Sequence, residues 1–472
     1  MRPFPILITL VLIASAALAQ RPHGEGAPRE TVAYADVRDF GAVGDGRADD
    51  TEAIRRAVSS GRGVVRFPKG TYRTTRTILI ELDKTGFVAL EGGGVGQVLA
   101  SGAGPAFRFL GTHVTGSADP GTFQPNVWRS QRMPVIDGLE IVGAHENADG
   151  IQAEGTMQLT ISRTRLSRLR HGIHLVNRNR NIVVDSCHIY ENRGIGIFYD
   201  EVSLHQSNIT GSHISYCGGG GVVLRGGDVR NVQIGTCDLE SNHDPKGAPT
   251  ANVLIDNSTS YNGTAEVAIT GCTIQHNSTS PDSANVRILG RGKADPPGTR
   301  NARPSQQWGH VTITGSVFSD VKTNIHLRGC RDVAVTGNTF WMGFEHNLLV
   351  EDCSDVVVSG NVMGRNPAYA HSSADKATND VIFRNSRDCI LAGNHIKGVN
   401  HTAAGLLLEN CDRLNVTGCT VLDSDGAGIL ARNLRNSRIS DCIVRDDRAG
   451  ATTPGIRVEG GRNNQVVDNL SR

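Results

Sequence analysis

One short phrase recurs along most of this chain and constrains its fold more than any other feature. Each copy is an alternating β-branched run, then Gly, Asp or Ser, then a small residue, a spacer and an apolar residue, as in Val335-Thr-Gly-Asn-Thr-Phe340. The closing apolar residues are Leu166, Ile189, Ile214, Leu239, Ile274, Phe318, Phe340, Met363, Ile396, Val421 and Val444. Successive copies lie 22 to 25 residues apart, except for three steps of 35, 44 and 33 residues that we interpret as loop insertions.

A second apolar strand lies between consecutive phrases, for example Gly172-Ile-His-Leu and Gly405-Leu-Leu-Leu. Its alternation places one row of side chains inward and one row outward. Short strands stacked about 4.8 Å apart predict an all-β fold, a single-stranded right-handed parallel β-helix, with the repeats over residues 136–472. Leucine-rich repeats share the period but need a signature that is absent here, and a propeller needs periods of about 40 residues.

The small position of each phrase predicts an inward ladder, in which Asn amides bond from coil to coil and Cys fills the same slot as a small hydrophobe. Its members are Thr164, Cys187, Ser212, Cys237, Cys272, Ser316, Asn338, Asn361, Asn394, Cys419 and Cys442. Cys330, Cys353 and Cys411 each lie ten residues before the end of a phrase and predict a second ladder. Cys217 and Cys389 belong to neither predicted ladder. Buried free thiols fit this stacking, and disulfides between neighbouring coils are the alternative for an exported chain.

The first 19 residues have the pattern of a secretory signal peptide. A basic start at Arg2 precedes a short apolar stretch and the cleavage pattern Ala17-Leu18-Ala19, and residues 20–35 follow as a polar leader. We therefore expect a secreted or periplasmic protein without membrane insertion. The chain has 48 Lys and Arg against 47 Asp and Glu, and removal of Arg2 leaves 47 against 47. A balanced charge gives no support for nucleic acid as a partner.

Residues 36–135 are predicted to form an N-terminal cap and the first coils. They contain Asp39-Phe-Gly-Ala-Val-Gly-Asp-Gly46, then Asp49-Asp-Thr-Glu-Ala-Ile54 at the start of a helix to about Ser59, and Val65-Arg-Phe-Pro-Lys-Gly-Thr-Tyr72. This opening resembles the pectate-lyase superfamily, which includes polygalacturonases, rhamnogalacturonase and epimerase-like proteins. The resemblance implies a β-helix that acts on polysaccharide. Asp45, Asp49 and Asp50 are expected to be structural.

The catalytic pattern of the polygalacturonases is only half present. Asn147-Ala-Asp149-Gly resembles their first motif, and Asp149 is the candidate catalytic residue on this basis. The next repeat has Arg170-His171-Gly172 in place of a pair of aspartates, and no Arg-x-Lys follows in a matching position. Hydrolysis by two carboxylates therefore has partial support.

An acid-free run rich in arginine, residues 155–184, favours binding of an acidic polymer, because arginine binds carboxylates through two hydrogen bonds. A lyase needs the uronate carboxylate neutralised and a base near the C5 proton. The candidates for catalysis are His171, Tyr199 and Arg225, and those for substrate binding are Arg170, His174, Arg178, Arg193 and Asp228. Asp200 and Glu201 are candidates for a Ca²⁺ site.

The outward row of the C-terminal half is predicted to be aliphatic, with Leu349, Ile382, Leu407 and Leu430. Such a row needs a cover, either the insertion at 365–379 or a second copy of the chain. The sequence therefore predicts a carbohydrate-active β-helix, a polysaccharide lyase or glycosidase on a uronate-containing substrate. The alternatives are a noncatalytic surface or carbohydrate-binding β-helix and a C5 epimerase.

Overall fold

The computed structural model describes residues 34–471 apart from 117–118, 277, 297, 303 and 365–373. The predicted signal peptide and almost all of the polar leader lie outside the described residues. Tyr34 and Ala35, at the end of that leader, belong to the first strand, which pairs in parallel with Val64–Arg66. The described strands form parallel pairs from coil to coil and build a right-handed parallel β-helix, as the repeat predicted.

The first coils contain the two α-helices of the described residues. The strands are β1 Tyr34–Asp36, β2 Asp45–Asp49, β3 Val64–Arg66, β4 Gly70–Thr74, β5 Ile78–Glu81, β6 Ala89–Ala100, β7 Gly104–Leu110, β8 Val135–Gly143, β9 Ala148–Glu154, β10 Thr156–Met157, β11 Thr160–Ser162 and β12 Arg165–Ser167. The helices are α1 Thr51–Ser59 and α2 Leu82–Thr85, with short helical turns at Val37–Phe40, Pro120–Thr122, Val127–Gln131 and Ala374–Lys376.

The central and C-terminal coils repeat three strands with little variation. The central strands are β13 Ile173–Asp185, β14 His188–Tyr190, β15 Ile195–Thr210, β16 His213–Ser215, β17 Gly220–Arg225, β18 Asp228–Gly235, β19 Asp238–Glu240, β20 Ala251–Asp256, β21 Val267–Thr270, β22 Thr273–Gln275, β23 Ala284–Leu289, β24 Gly309–Thr314, β25 Val317–Ser319, β26 Val321–Arg328, β27 Arg331–Thr336, β28 Thr339–Phe340, β29 Gly343–Glu351, β30 Ser354–Ser359 and β31 Val362–Gly364. The last are β32 Asp380–Arg384, β33 Ile390–Ala392, β34 His395–Lys397, β35 Ala404–Glu409, β36 Asn415–Thr417, β37 Thr420–Leu422, β38 Ala427–Arg432, β39 Arg438–Ser440, β40 Ile443–Arg445, β41 Ile456–Glu459, β42 Gln465–Val467 and β43 Leu470–Ser471.

Three parallel faces result from this stacking. Sheet A runs from β5 through β9, β13, β15, β17, β20 and β23 to β41, and it contains the second strand of every repeat. Sheet B runs from β1 to β42, and sheet C runs from β2 through β14, β16, β19 and β22 to β43. The repeated phrase spans the corner between sheets B and C.

That corner is made by one residue per coil in the left-handed conformation, which explains why nine of the eleven phrases have Gly, Asp or Ser there. These residues are Arg163, Ser186, Gly211, Thr236, Gly271, Gly315, Gly337, Gly360, Gly393, Gly418 and Asp441. The small residue that follows each of them is buried, from Thr164 to Cys442, as predicted. Asn338 Nδ2 donates to Asn361 Oδ1 over 3.1 Å, and Asn361 Nδ2 donates to Asn394 Oδ1 over 2.9 Å. The polar core positions therefore satisfy one another along the stack.

Another buried ladder, rich in amides and not identified from the sequence, lies between sheets C and A. It contains Asn192, Cys217, Asn242, Asn252, Asn285, Asn324 and Asn347. Cys217 takes one slot of this ladder, and all ten cysteines are buried with free thiols. Stacking, rather than cross-linking, accounts for the cysteine pattern.

The N-terminal cap has the helix that its motif predicted, α1 Thr51–Ser59. Ile54 and Val58 of α1 join the core. The Asp50 carboxylate accepts the backbone N–H groups of Val43 and Gly44 over 2.6 and 3.1 Å, and it is almost fully buried. Asp49 accepts hydrogen bonds from the Thr51 and Thr75 hydroxyls at 2.5 and 2.6 Å. These carboxylates stabilise the turn and the helix start, as expected.

Candidate functional site

Several of the candidate side chains meet on the outward face of sheet A, on β9, β13, β15 and β17. Asp149, which is 1% exposed, accepts two hydrogen bonds from the Arg170 guanidinium, at 2.8 Å from Nε and 2.5 Å from Nη2. The His171 backbone N–H also donates to Asp149 Oδ1 over 3.1 Å. The hydrogen bonding between the Arg170 and Asp149 side chains raises the pKa of Arg170. The carboxylate of Asp149 is therefore a buried anchor that fixes the entry into β13.

His174 lies between two carboxylates on this face. Its Nε2 is 3.0 Å from Asp200 Oδ2, and its Nδ1 is 3.9 Å from Asp149 Oδ2 and 3.5 Å from Gln152 Nε2. If Nε2 carries the proton that Asp200 accepts, the lone pair of Nδ1 on the neutral ring accepts the Gln152 amide N–H, which a substrate proton would have to displace. The arrangement is that of an imidazole base oriented by a carboxylate.

His171 has a different role from His174. Its Nδ1 accepts the backbone N–H of Ile195 over 3.1 Å, so the neutral ring has its proton on Nε2. Burial lowers the pKa of the His171 imidazole to about 4, although Asp149 opposes this shift. His171 is therefore a neutral hydrogen-bond donor near neutral pH. Its ring centroid is 5.4 Å from that of His174.

Phe198 and Arg225 complete the cluster. The Phe198 ring stacks on His174 with the ring centroids 5.3 Å apart and the planes 6° apart. The Arg225 guanidinium lies over the Phe198 ring, 5.3 Å from its centroid. Arg225 has no ion pair or hydrogen bond to any residue that the structure describes. It is a cation held in place by an aromatic ring and available to an anionic ligand.

Tyr199, a predicted catalytic residue, is in the core instead. It is fully buried, and its hydroxyl hydrogen-bonds Ser207 Oγ over 2.6 Å. Tyr199 alternates in phase with the core residue Ile197, so its side chain points inward. The prediction that Tyr199 is catalytic is therefore wrong. Side chains alternate along β15, so it is the neighbouring residue, Phe198, that lies on the outer face.

Two predicted binding arginines are engaged by backbone carbonyls. Arg193 donates to the carbonyls of Arg168, His145 and Glu146 over 2.7 to 2.9 Å. Arg178 donates to the Gly116 carbonyl and to Ser203 Oγ on β15, from a part of β13 beyond the cluster. These contacts hold loops against the coils and leave neither guanidinium in the cluster. Asp228, another predicted binding residue, pairs with Arg230 at 3.1 Å outside the cluster.

The acid-free run of arginines is not a basic patch. Four of its six arginines reach acids on neighbouring coils: Arg163 pairs with Asp137, Arg165 with Glu140 at 2.6 Å, Arg168 with Glu191 at 3.7 Å and Arg170 with Asp149. The interpretation of this run as a binding surface is therefore corrected. Arg225, outside the run, has no ion pair with any residue that the structure describes.

Asp200 and Glu201 do not form the predicted Ca²⁺ site together. Asp200 faces His174, whereas Glu201 accepts the Gly227 N–H over 3.1 Å and the Thr259 hydroxyl over 2.7 Å. Glu201 has a left-handed backbone, φ 47°, which turns the chain away from the outward row after Asp200. Glu201 stabilises a turn, and its carboxylate is committed to that role.

A second polar cluster on sheet A was missed by the sequence analysis, which described the later coils as mostly aliphatic. Arg287 Nε donates to His326 Nδ1 over 3.2 Å, and His326 Nε2 contacts Glu351 Oε2 over 3.2 Å. His346 Nδ1 is 2.6 Å from Asp380 Oδ1, and Asp380 is buried. The sequence contains the information needed to find this cluster. Arg287 and His326 occupy the same outward position in the strands Asn285-Val-Arg-Ile and Asn324-Ile-His-Leu, and they pair in register.

The predicted aliphatic row lies beyond this second cluster. Ile382 and Leu430 are buried, and Leu349 and Leu407 are half-buried. Leu430 packs with Ala404, Ala427 and Leu407. Most of the insertion predicted to cover this row, 365–373, lies outside the described residues.

Comparison with protein families agrees with this architecture. The model for the right-handed β-helix region matches residues 126–239, 300–392 and 379–471, more than half of the chain. The chain therefore belongs to the right-handed β-helix family. Residues 34–92 match the model described as rhamnogalacturonase A/epimerase, pectate lyase-like.

Solved structures with a similar fold are distant in sequence. The A-module of the Azotobacter vinelandii mannuronan C-5 epimerase AlgE6 is 14% identical, with 93% of this chain and 98% of that chain covered and a TM-score of 0.44. The tailspike protein 3 of bacteriophage CBA120 is 13% identical, with 92% and 61% covered and a TM-score of 0.47. The Streptococcus pneumoniae surface protein and adhesin PfbA is 14% identical, with 92% and 97% covered and a TM-score of 0.36. No curated protein matches the sequence. Among the described residues, no helix has the length and apolar character needed to cross a membrane.

Proposed function

We propose that this chain is a secreted, carbohydrate-active β-helix enzyme that acts on a uronate-containing polysaccharide at the sheet A cluster. The signal-like residues 1–19 support export. The match of residues 34–92 to the rhamnogalacturonase and epimerase model supports carbohydrate as the substrate class. The observation that carries the proposal is the unpaired Arg225 over Phe198, whose ring stacks on a histidine oriented by Asp200.

The proposed chemistry is β-elimination. Arg225 binds the uronate carboxylate, which makes the neighbouring C5 proton more acidic, and His174 Nδ1 accepts that proton. The electron pair of the C5–H bond forms the C4–C5 double bond as the C4–O4 bond breaks. Water supplies the proton that the departing O4 takes up, and the Nε2–H of neutral His171 donates a hydrogen bond to that oxygen. The products are an unsaturated uronate and a new reducing end.

Hydrolysis by two carboxylates is less well supported by the same geometry. Asp149 is 1% exposed and is held by Arg170 and a backbone N–H, so its carboxyl is poorly placed to meet a glycosidic oxygen. Its role in this proposal is to position Arg170, His171 and His174. A glycosidase would also need the second carboxylate free, whereas Asp200 is bonded to His174.

A C5 epimerase is the second candidate. It shares the removal of the C5 proton but returns a proton to the opposite face of the sugar. The match of residues 34–92 to the rhamnogalacturonase A/epimerase model favours this candidate, and water would supply the returned proton because His171 is neutral near neutral pH. A noncatalytic carbohydrate-binding β-helix would use Arg225 and Phe198 without either histidine.

The test is a screen of the purified protein against polyuronates, with three readouts: unsaturated products, reducing ends and binding. We expect Arg225→Ala to lose both binding and turnover. The matched control is Arg328→Ala, since Arg328 lies in the same outward row three strands further along and is also unpaired among the described residues. No binding and no product with any polyuronate, or equal loss in both variants, would overturn the proposal.

A further inference from the structure

The outward face of sheet C has a cluster of potential metal ligands on a different side of the β-helix from the sheet A site. His213 on β16 pairs in register with Asp238 on β19, and Glu240 follows two residues later on the same face. The His213, Asp238 and Glu240 ligand atoms all lie within 4.8 Å of one another. His213 Nε2 is 2.9 Å from Asp238 Oδ2.

The next coil supplies a fourth group. His276 follows β22, and its Nε2 is 3.5 Å from Glu240 Oε1. The Tyr216 hydroxyl donates to the same Glu240 oxygen over 3.2 Å, so it orients that carboxylate from outside the cluster. Two imidazoles and two carboxylates from three successive coils therefore converge on one small region.

Two polar atoms in this region have no partner among the described residues. Asp238 Oδ1 is shielded from solvent and accepts no hydrogen bond. Ser215, 2% exposed, pairs in register with Glu240 on the outward row, and its Oγ also has no hydrogen bond. Shielded polar atoms are normally satisfied by protein, water or an ion. A cation between these side chains would satisfy the carboxylate oxygen directly.

We propose that His213, Asp238 and Glu240 bind one divalent transition-metal ion, with His276 as the fourth ligand. Imidazole with carboxylate suits zinc and related ions, whereas Ca²⁺ and Mg²⁺ take oxygen ligands. Zinc–ligand bonds of about 2.0–2.1 Å place tetrahedral ligand atoms roughly 3.3 Å apart, and rotation of the partly exposed side chains closes the present separations. The ion links three coils and stabilises the folded chain, because the unfolded chain does not bring these groups together.

The experiment measures zinc binding to untagged full-length protein by titration calorimetry, with Co²⁺ absorption as a second probe of the ligand set. We expect one Zn²⁺ per chain, a rise in the unfolding temperature with Zn²⁺ and none with Ca²⁺. His213→Gln and Asp238→Asn are each expected to lower Zn²⁺ affinity about tenfold or more. The matched control, His310→Gln, removes a surface histidine that lies 3.6 Å from Asp332 and should retain wild-type affinity.

The unfolding temperature of each variant is also measured without metal. A value close to that of the wild type shows that the variant folds, so that any loss of Zn²⁺ affinity is a binding defect. Glu240→Gln replaces any variant that fails to fold. Absence of stoichiometric Zn²⁺ binding would overturn the proposal. So would binding that persists unchanged in His213→Gln and Asp238→Asn, or that His310→Gln reduces equally. Polyuronate activity is not a readout, so the result is independent of the proposed function.

Discussion

Arg170 holds the buried carboxylate of Asp149 with two hydrogen bonds, of 2.8 and 2.5 Å, that join two adjacent coils at the edge of the candidate site. The relationship is one-sided, since the Asp149 side chain is 1% exposed and that of Arg170 is 43% exposed. Arg170 compensates the charge of the Asp149 carboxylate. Asp149 in turn accepts the backbone N–H of His171 and lies 3.9 Å from His174 Nδ1, so it helps to position both histidines.

Replacement of Arg170 by Ala should therefore destabilise the chain well beyond a surface change. It leaves a buried carboxylate with one hydrogen bond from a backbone N–H, and we expect a loss of roughly 3 kcal/mol in the free energy of unfolding. Arg163→Ala is the control, because Arg163 pairs with Asp137 at an exposed position, so its loss should lower the free energy of unfolding much less than the loss of Arg170. Urea unfolding of both variants measures this, and equal losses would contradict the assignment of Asp149 as a buried anchor.

Replacement of Asn361 by Leu should break the amide ladder in the core. The change removes an acceptor of the Asn338 N–H groups and the donors to Val335 O and Asn394 Oδ1. Each orphaned group costs about 1–3 kcal/mol, so we expect a loss of at least about 3 kcal/mol. Asn415→Leu, at an exposed position of β36, is the control and should leave the unfolding midpoint nearly unchanged. A midpoint for Asn361→Leu equal to that of the wild type would exclude an inward ladder at this position.

The fold should lose stability as the pH falls from about 6.5 to 4. Burial lowers the pKa values of His113, His171 and His243 to about 4, whereas an unfolded histidine has a pKa near 6.5. The unfolded chain therefore binds more protons in this window, and stability that is complete above pH ~6.5 decreases by up to about 1.4 kcal/mol per imidazole and pH unit.

Urea unfolding at intervals from pH 7 to 4.5 measures this dependence. His243→Gln should give a shallower dependence than the wild type, because it removes one of the three buried imidazoles. His310→Gln, at an exposed position, should keep the wild-type dependence. Stability that stays constant down to pH 4.5 would contradict this prediction. It would show that these imidazoles bind protons in the folded chain as readily as in the unfolded chain.

The fold could be predicted because its causes are local and repeated. One left-handed residue per coil, such as Gly337 or Gly360, and one small residue after it fix the corner between sheets B and C. The period then sets the register of the whole stack. The helix Thr51–Ser59 followed from its own capping pattern in the same way.

The site could be predicted only in part, because its contacts join residues on different coils. The arginines of residues 155–184 looked unpaired since their acids, such as Asp137 and Glu140, come from the preceding coil. The contact of His174 with Asp200 is diagonal across the strand pair and depends on side-chain torsions as well as register. The position of Tyr199, in contrast, was available from alternation with Ile197.

The central claim, proton removal by His174, is tested most directly by paired product assays on a polyuronate that the protein binds. For the wild type, the account predicts that ultraviolet absorbance of unsaturated ends and new reducing ends rise in equal numbers. For His174→Gln, it predicts that neither signal rises above background, while polymer binding and the unfolding midpoint are retained. Reducing ends without unsaturated product, or a wild-type rate of elimination in His174→Gln, would contradict it.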